Sequence, residues 1–339
     1  MLTAYRATGA DLPFGDPLPA HGVAMEGYFW RFTDVAAGRV VVALIGVNRA
    51  ADGHWATLGL AGHPESFLRD AVWPEAAADP HRLGARAGEA FSGDAQRVRV
   101  DLGPDASLDV RITGSVPWPR RALGGSSVFQ SVPALNQYWH PHVLGGRAEG
   151  TATLAGREVV LDGAAVYAEK NWGRGGFPPS WWWGQAHGFD REDICVAFAG
   201  GEIVAGPFRH HVTAIVVRLG GQLIRLGDPI VSPVAAEVTD TSWRLKGRGL
   251  RWGVEIEGEA ALADGHVLPV PLPAERRNVP GAIEHLGGRM RVVVRRRGRV
   301  VYAGESRLAG LEHGGRALAE AEAARRRLRP GGAAVTASA

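Results

Sequence analysis

Residues 150–172 read GTATLAGREVVLDGAAVYAEKNW. Apolar and polar side chains alternate on both sides of Ala155-Gly156, and a second turn signal follows at Asp162-Gly163. This is the period-two pattern of strands with one buried and one wet face. The same pattern extends outward. RVRVDLGPDASLDVRITGSV (97–116) alternates around a Gly-Pro-Asp turn, HVTAIVVRLGGQLIRLGD (211–228) pivots on Gly220-Gly221, and RMRVVVRRRGRVVYAGESRLAGLE (289–312) pivots on Arg297-Gly298. SWRLKGRGLRWGVEIEGEAAL (242–262) supplies two further short strands. Turn signals every ten residues or so, with 47 glycines and 21 prolines to make them, predict an all-β chain of antiparallel sandwiches or barrels.

Only two stretches read as helix: SFLRDAVW (66–73) and RALAEAEAARRRLRP (316–330), the latter rich in helix formers and stopped by Pro330. The run Arg325–Arg327 reads as a solvated helix face. At 339 residues two domains are expected, and Pro178-Pro179 offers the break, since two prolines cannot continue a central strand. The expected division is 1–178, 179–330 and a disordered tail at 331–339. MEGYFWRFTD (25–34) and WWWGQAHGFD (181–190) are alike enough to hint at two similar barrels.

Bulk properties exclude several classes. A net charge of +3 does not call for a nucleic-acid partner. The single cysteine, Cys195, allows no intrachain disulfide and no cysteine-based zinc site, and its apolar setting predicts a buried, inert thiol. The N-terminus shows no apolar signal core, and no apolar run reaches the ~20 residues of a spanning helix. A cytoplasmic protein is expected, with transient contact at a membrane surface if its ligand is greasy.

Among chemistry-bearing patterns, His140 and His142 stand two apart in a strand-like stretch, with His187, His210 and His211 available to join them. Pro141 interrupts that strand and no carboxylate is suitably spaced. Hydrogen-bonding or substrate-lining histidines are therefore expected rather than a metal site. GGSSVFQ (124–130) lacks the nucleophile-elbow context, and GRGGFPP (173–179) lacks the Lys-Ser/Thr end of a phosphate loop, so no nucleotide or other cofactor is expected.

The densest feature is YAEKNWGRGGFPPSWWWGQAHGF (167–189), with four tryptophans in twelve residues. In a strand, Val166, Ala168, Lys170 and Trp172 share one face, while Tyr167, Glu169 and Asn171 share the other. A carboxyl group on a wall of indoles is desolvated and stays protonated near neutral pH. It can then protonate an alkene while π-faces stabilise the developing cation. The alternative is structural: Glu169 and Lys170 as ion partners of other residues, and the tryptophans as a hydrophobic seam.

This stretch closely resembles the signature of the tocopherol cyclase family, a Glu-Lys-Asn-Trp-Gly box followed by Phe-Pro and an aromatic-rich W-x-W-x-Q strand. MEGYFWRFTD resembles the family's early E-G-[WY]-[YF] box. HPHVLGGRAEGTATLAGREVVLDGAAVYAEKNWG (140–173) resembles the lead into the signature. LPVPLPAERRNVPGAIEHLGGRMRVVV (268–294) and ESRLAGLEHGG (305–315) stand where the family has its C-terminal boxes. Plant members carry cysteines in the penultimate box, where this chain has IEHLGGRM, a departure that bears on the substrate more than on the fold.

The resemblance implies two lipocalin-like β domains, an architecture shared with carotenoid hydratases and some fungal cyclases. It also implies cofactor-free chemistry on a prenyl-quinol, terpenoid or similar hydrophobic substrate: an acid protonates an alkene and a phenolic oxygen closes a ring. The resemblance alone does not fix the donor; its place among the indoles makes Glu169 the leading general acid, with Glu26 and Asp190 behind it, and Lys170 and Asn171 orient the head group. Trp172, Phe177, Trp181, Trp182, Trp183 and Tyr138 line the pocket, and Gln185, His187, His140 and His142 supply polar handles. A hydratase, another isomerase or pericyclase, and a non-catalytic carrier remain the alternatives.

Overall fold

The computed structural model describes residues 2–12, 20–119, 123–205 and 208–327. Two antiparallel sheets carry the chain, one of 12 strands between Met25 and Gly173 and one of 10 between Trp181 and Gly314. Each of the two aromatic-led stretches opens its sheet, at Met25–Asp34 and Trp181–Ala186. The alternation is realised as read. Arg97–Asp101 and Ala106–Thr113 pair in register, with Val98 and Val100 facing Val110 and Leu108 in the core and their arginine neighbours outside. At the turn between them Gly103 takes φ +112, a conformation that costs glycine little.

The strand Arg157–Gly173 changes character along its length. Its first half alternates exposed and buried residues; from Val166 to Lys170 every residue is buried. That double burial has a simple cause. One face packs Val166 and Ala168 with Tyr28, Trp30 and Phe32 into the core of the first sheet. The other face turns Tyr167 toward Trp183, Cys195, Ala197 and Val216 of the second sheet. Arg31, on the neighbouring strand and on that second face, crosses the junction. Its Nη2 donates to the carbonyls of Leu286 (2.8 Å) and Leu308 (2.5 Å). The second sheet has its own core around Trp243, Phe198, Met290 and Leu311.

Two expectations need correction. Ser66–Trp73 is not a helix. Phe67–Trp73 is an edge strand paired with Gly53–His63, because its apolar residues find partners across the ladder from Ala56↔Trp73 to Gly62↔Phe67. The helix at the C-terminus is present as Arg316–Arg325, but its arginines are not simply solvated. Arg325 and Arg326 both pair with the Glu322 carboxylate, and Arg326 donates to the Leu262 carbonyl at 2.7 Å, tying the helix to the second sheet. The expected tail at 331–339 lies outside the described residues. Cys195 is fully buried and its thiol is pushed up to about 12 by burial, an inert thiol as expected. No described helix is long and apolar enough to cross a membrane.

Candidate active site

A cavity lined from both sheets, part of it open to solvent, lies where they meet. Its wall is mainly aromatic and aliphatic, with Glu169, Asn171, Gln137, Glu312 and a few others as the polar exceptions.

Strand register places Glu169 here. Phe29↔Glu169 and Gly27↔Asn171 sit side by side on adjacent strands, on the face turned to the second sheet. Trp139 pairs opposite Asn171 from the other flank. Three donors converge on one oxygen of Glu169. Trp139 Nε1 donates to Oε2 at 2.7 Å, the Tyr167 hydroxyl at 2.5 Å and Trp183 Nε1 at 2.8 Å. None of them meets Oε1. A carboxyl so arranged carries its proton on Oε1, because Oε2 has no free lone pair for it. Burial pushes the group above the ordinary carboxylate range, while the three donors pull against that shift. As the proton leaves, the same donors stabilise the developing charge.

Glycines make room for the indoles. On the strand Arg299–Gly314, Gly310 and Gly314 flank Glu312 on one face, opposite Gln185 and Trp181, while Glu312 itself pairs with Trp183. A Cβ on Gly314 would overlap the Trp181 ring at 1.8 Å, and one on Gly310 would crowd Trp183 at 2.9 Å. Trp181 in turn donates its N–H to Glu312. Glu312 titrates at about 7, raised by burial, lowered by the Trp181 N–H and raised again by neighbouring Glu169. Behind it, directly across the ladder, Glu284 is buried with neither carboxyl oxygen hydrogen-bonded; burial first, and Glu312 beside it, hold its carboxyl well above the ordinary range.

The remaining expected residues divide clearly. Trp181, Trp182, Trp183, Phe177, Tyr138 and Asn171 line the cavity with Glu169. Phe29 meets Trp183 edge-on at 5.2 Å, and Phe177 lies 4.9 Å from Trp181. The amides of Asn171 and Gln137 occupy spaces cleared by glycines: a Cβ on Gly27 or on Gly173 would come within 2.4 Å of them.

Lys170, Glu26 and Trp172 do not reach the cavity. Alternation sends them to the opposite face, where Lys170 Nζ lies 2.7 Å from Glu26 Oε2 and 2.9 Å from His21 Nδ1. Trp172 stacks between His21 (4.5 Å) and Tyr138 (5.5 Å) and donates to the Gly9 carbonyl at 2.6 Å. Gln185 and His187 are enclosed beneath the site, 3.2 Å apart, and line no part of it. His140 accepts from the Gly125 N–H at 3.1 Å; His142 is buried with neither ring nitrogen bonded. Asp190 is exposed, its carboxylate accepting from the Tyr302 hydroxyl at 2.5 Å. Among the described residues no three His, Cys, Asp or Glu side chains are grouped to hold a metal ion.

Trp139, Tyr167 and Glu312 were not singled out from sequence. Glu312 had a readable signal: a lone carboxylate between glycines in the apolar run LAGLEHGG. Trp139 had none, since its role depends on which strand pairs with the Glu-Lys-Asn box.

Fold and site together define a lipocalin-like β protein with a desolvated carboxyl group in an aromatic cavity. The chain belongs to the tocopherol cyclase-like family, whose sequence model matches residues 25–315. It is 26% identical over 194 residues to the probable chloroplastic tocopherol cyclase of Oryza sativa subsp. japonica, covering 54% of this chain and 40% of that protein. Against the chloroplastic tocopherol cyclase of Zea mays it is 27% identical over 206 residues, 58% of this chain and 43% of that protein. The matches thus span about two fifths of the length of these curated relatives. Kievitone hydratase from Nectria haematococca has the same fold, with TM-score 0.53 and 12% identity over 92% of this chain and 94% of that one.

Proposed function

We propose that this protein is a cofactor-independent cyclase that protonates an alkene of a prenylated phenol or similar isoprenoid and closes a ring on the resulting cation. The observation that carries this is Glu169, with three donors on Oε2 and no partner on Oε1 among the described residues, set in an apolar cavity. The Oε1 proton passes to the less substituted alkene carbon, forming a C–H bond at the expense of the π bond. The tertiary cation lies among the rings of Trp139, Trp183 and Phe29, whose faces favour positive charge. The phenolic oxygen then forms the C–O bond and releases its proton to Glu312, so the product has the formula of the substrate. Asn171, ~6.6 Å along the strand from Glu169, holds the head-group oxygen together with Gln137.

Kinship to proteins named tocopherol cyclases supports ring closure; the shared fold of a named hydratase brings in water as the competing trap for the same cation. Purified protein incubated with a prenylated hydroquinone, followed by mass spectrometry, separates these. A product of unchanged mass that has lost its quinol oxidation wave supports the cyclase. A product heavier by one water replaces it with a hydratase. Saturable quenching of tryptophan fluorescence with no product, across prenylated phenols of varied chain length, replaces it with a carrier.

A further inference from the structure

The two most exposed large apolar side chains in the described residues are Leu250 at 97% and Ile230 at 87%. They stand on neighbouring loops. The turn 248–252 hydrogen-bonds to the loop 227–233 through Arg248 N–H to the Pro233 carbonyl at 3.1 Å, and a Cβ on Gly249 would touch Ser232 at 3.3 Å. The hairpin tip at 296–299 joins the same end of the sheet, with Arg297 N–H donating to the Arg251 carbonyl at 2.8 Å. Three adjacent tips therefore form one surface, and Val231, Val300 and Val301 add exposed apolar area to it at 59%, 51% and 46%.

The charge of this end is one-sided. Arg248, Arg251, Arg296, Arg297 and Arg299 are all exposed, and none has an acidic partner among the described residues. Some exposed arginines elsewhere are paired, as Arg97 with Asp109 and Arg191 with Asp193, and others, such as Arg86, Arg111 and Arg157, have no acidic partner among the described residues; what sets these five apart is that they stand together on adjacent loop tips. Asp228, in the loop itself, spends its carboxylate on the N–H groups of Ile230 and Val231, which fixes the shape of the apolar tip. Arg251 and Arg296 both stack on the half-buried ring of Trp252, at 5.7 and 5.6 Å. Five arginines on tips joined by backbone hydrogen bonds, around the two most exposed aliphatic side chains, make a local concentration of positive charge on one apolar surface.

We infer that the loop tips at 228–233, 248–252 and 296–301 form a docking surface for an anionic lipid membrane. Isolated aliphatic side chains ringed by arginine fit the boundary between acyl chains and anionic headgroups, where burial of Ile230 and Leu250 adds to attraction of the guanidinium groups. Location agrees: the loop carrying Ile230 begins at Gly227, which lines the cavity and donates its N–H to the Ser232 carbonyl at 2.8 Å. A hydrophobic ligand leaving the bilayer at this surface would arrive beside Gly227 of the cavity wall. The inference does not depend on the ring-closing chemistry.

The test is co-sedimentation of the full chain with vesicles of phosphatidylcholine alone and of phosphatidylcholine with 30% phosphatidylglycerol (a composition of about this value suffices). Binding is expected to the anionic vesicles only, and to weaken with salt. Changing Ile230 and Leu250 together to Ser lowers the partition coefficient by roughly tenfold or more. Changing Arg248, Arg251 and Arg297 to Glu abolishes binding. All are exposed, so a thermal melt matching the unaltered protein shows the loss is not misfolding. No binding to anionic vesicles at low salt would overturn the inference, as would binding that both variants leave unchanged. Binding that depends on the arginines but not on Ile230 and Leu250, and that duplex DNA competes away, would reassign the surface to a polyanion.

Discussion

The Lys170 ammonium lies 2.7 Å from the Glu26 carboxylate, on the face of the strand opposite Glu169. Burial alone would raise Glu26, but the charge and hydrogen bond of Lys170, with His21 and the Gly22 N–H, hold it below the ordinary range. His21 Nε2 continues the chain to Asp11 at 2.8 Å, and Asp11 to Arg6 at 3.0 Å. The lysine of the Glu-Lys-Asn box therefore fastens the N-terminal segment to the first sheet. Lys170→Met leaves the buried acid short of its main partner and costs about 3–5 kcal/mol in denaturant unfolding. A substrate-binding lysine would instead change KM and leave stability alone.

Tyr167→Phe removes one of the three donors to Glu169. Loss of a donor to the anion raises the carboxyl further, so the alkaline limb at which activity fails for want of a protonated acid moves to higher pH. The rate falls by ~10²–10³-fold, the usual effect of removing one donor to developing charge. A pH–rate profile of the two proteins checks both the shift and its direction.

Glu312→Gln tests the proton acceptor. Around Glu312 stand Glu169, Glu284 and the Trp181 N–H, with Arg31 beyond Glu284. Since a base must be ionised, the rate of the unaltered protein rises with pH through about 7. The variant loses that ascending limb and ~10²–10⁴-fold in ring closure.

The buried histidines contribute stability that is lost in acid. Burial, with Lys170 adding to it, lowers His142 to about 3; burial and then Arg31 lower His187 to about 4. Unfolded histidine titrates near ~6.5, so between that pH and the folded values the unfolded chain binds more protons. Falling pH therefore favours unfolding by about 1.4 kcal/mol per unit for each group. The raised carboxyls of Glu169, Glu284 and Glu312 act in the opposite sense, so the histidine contribution is read as a difference: in thermal melts from pH 7 to 4 the unaltered protein loses stability relative to the His142 variant. His142→Leu, which removes a ring with no hydrogen-bond partner among the described residues, removes that contribution.

Period-two alternation carried most of the fold, because each half-buried strand writes its own faces, and alternation alone separates Glu169 from Lys170. The edge strand Phe67–Trp73 was missed because burial on neither face is complete, so its apolar pattern was too weak to mark a period. The site was legible where one segment supplies it, as with Glu169, Asn171 and Trp181 to Trp183. It was illegible where it depends on distant pairing. Trp139 reaches Glu169 only because Gln137–Val143 lies beside Arg157–Gly173, and Glu312 only because two sheets meet. Gln185 and His187 share the face of Trp183, as alternation says, yet lie too deep; depth along a strand is not written in its period.

The central claim is that Glu169 delivers the proton that starts ring closure. Turnover of a prenylated hydroquinone in deuterated water, read by mass spectrometry and NMR, tests it most directly. The account predicts one carbon-bound deuterium at a single diastereotopic position of the cyclised product, and a loss of ~10²–10⁴-fold in its formation with Glu169→Gln, whose ligand affinity is retained. Cyclised product without carbon-bound deuterium, or deuterated product formed undiminished by Glu169→Gln, would contradict it.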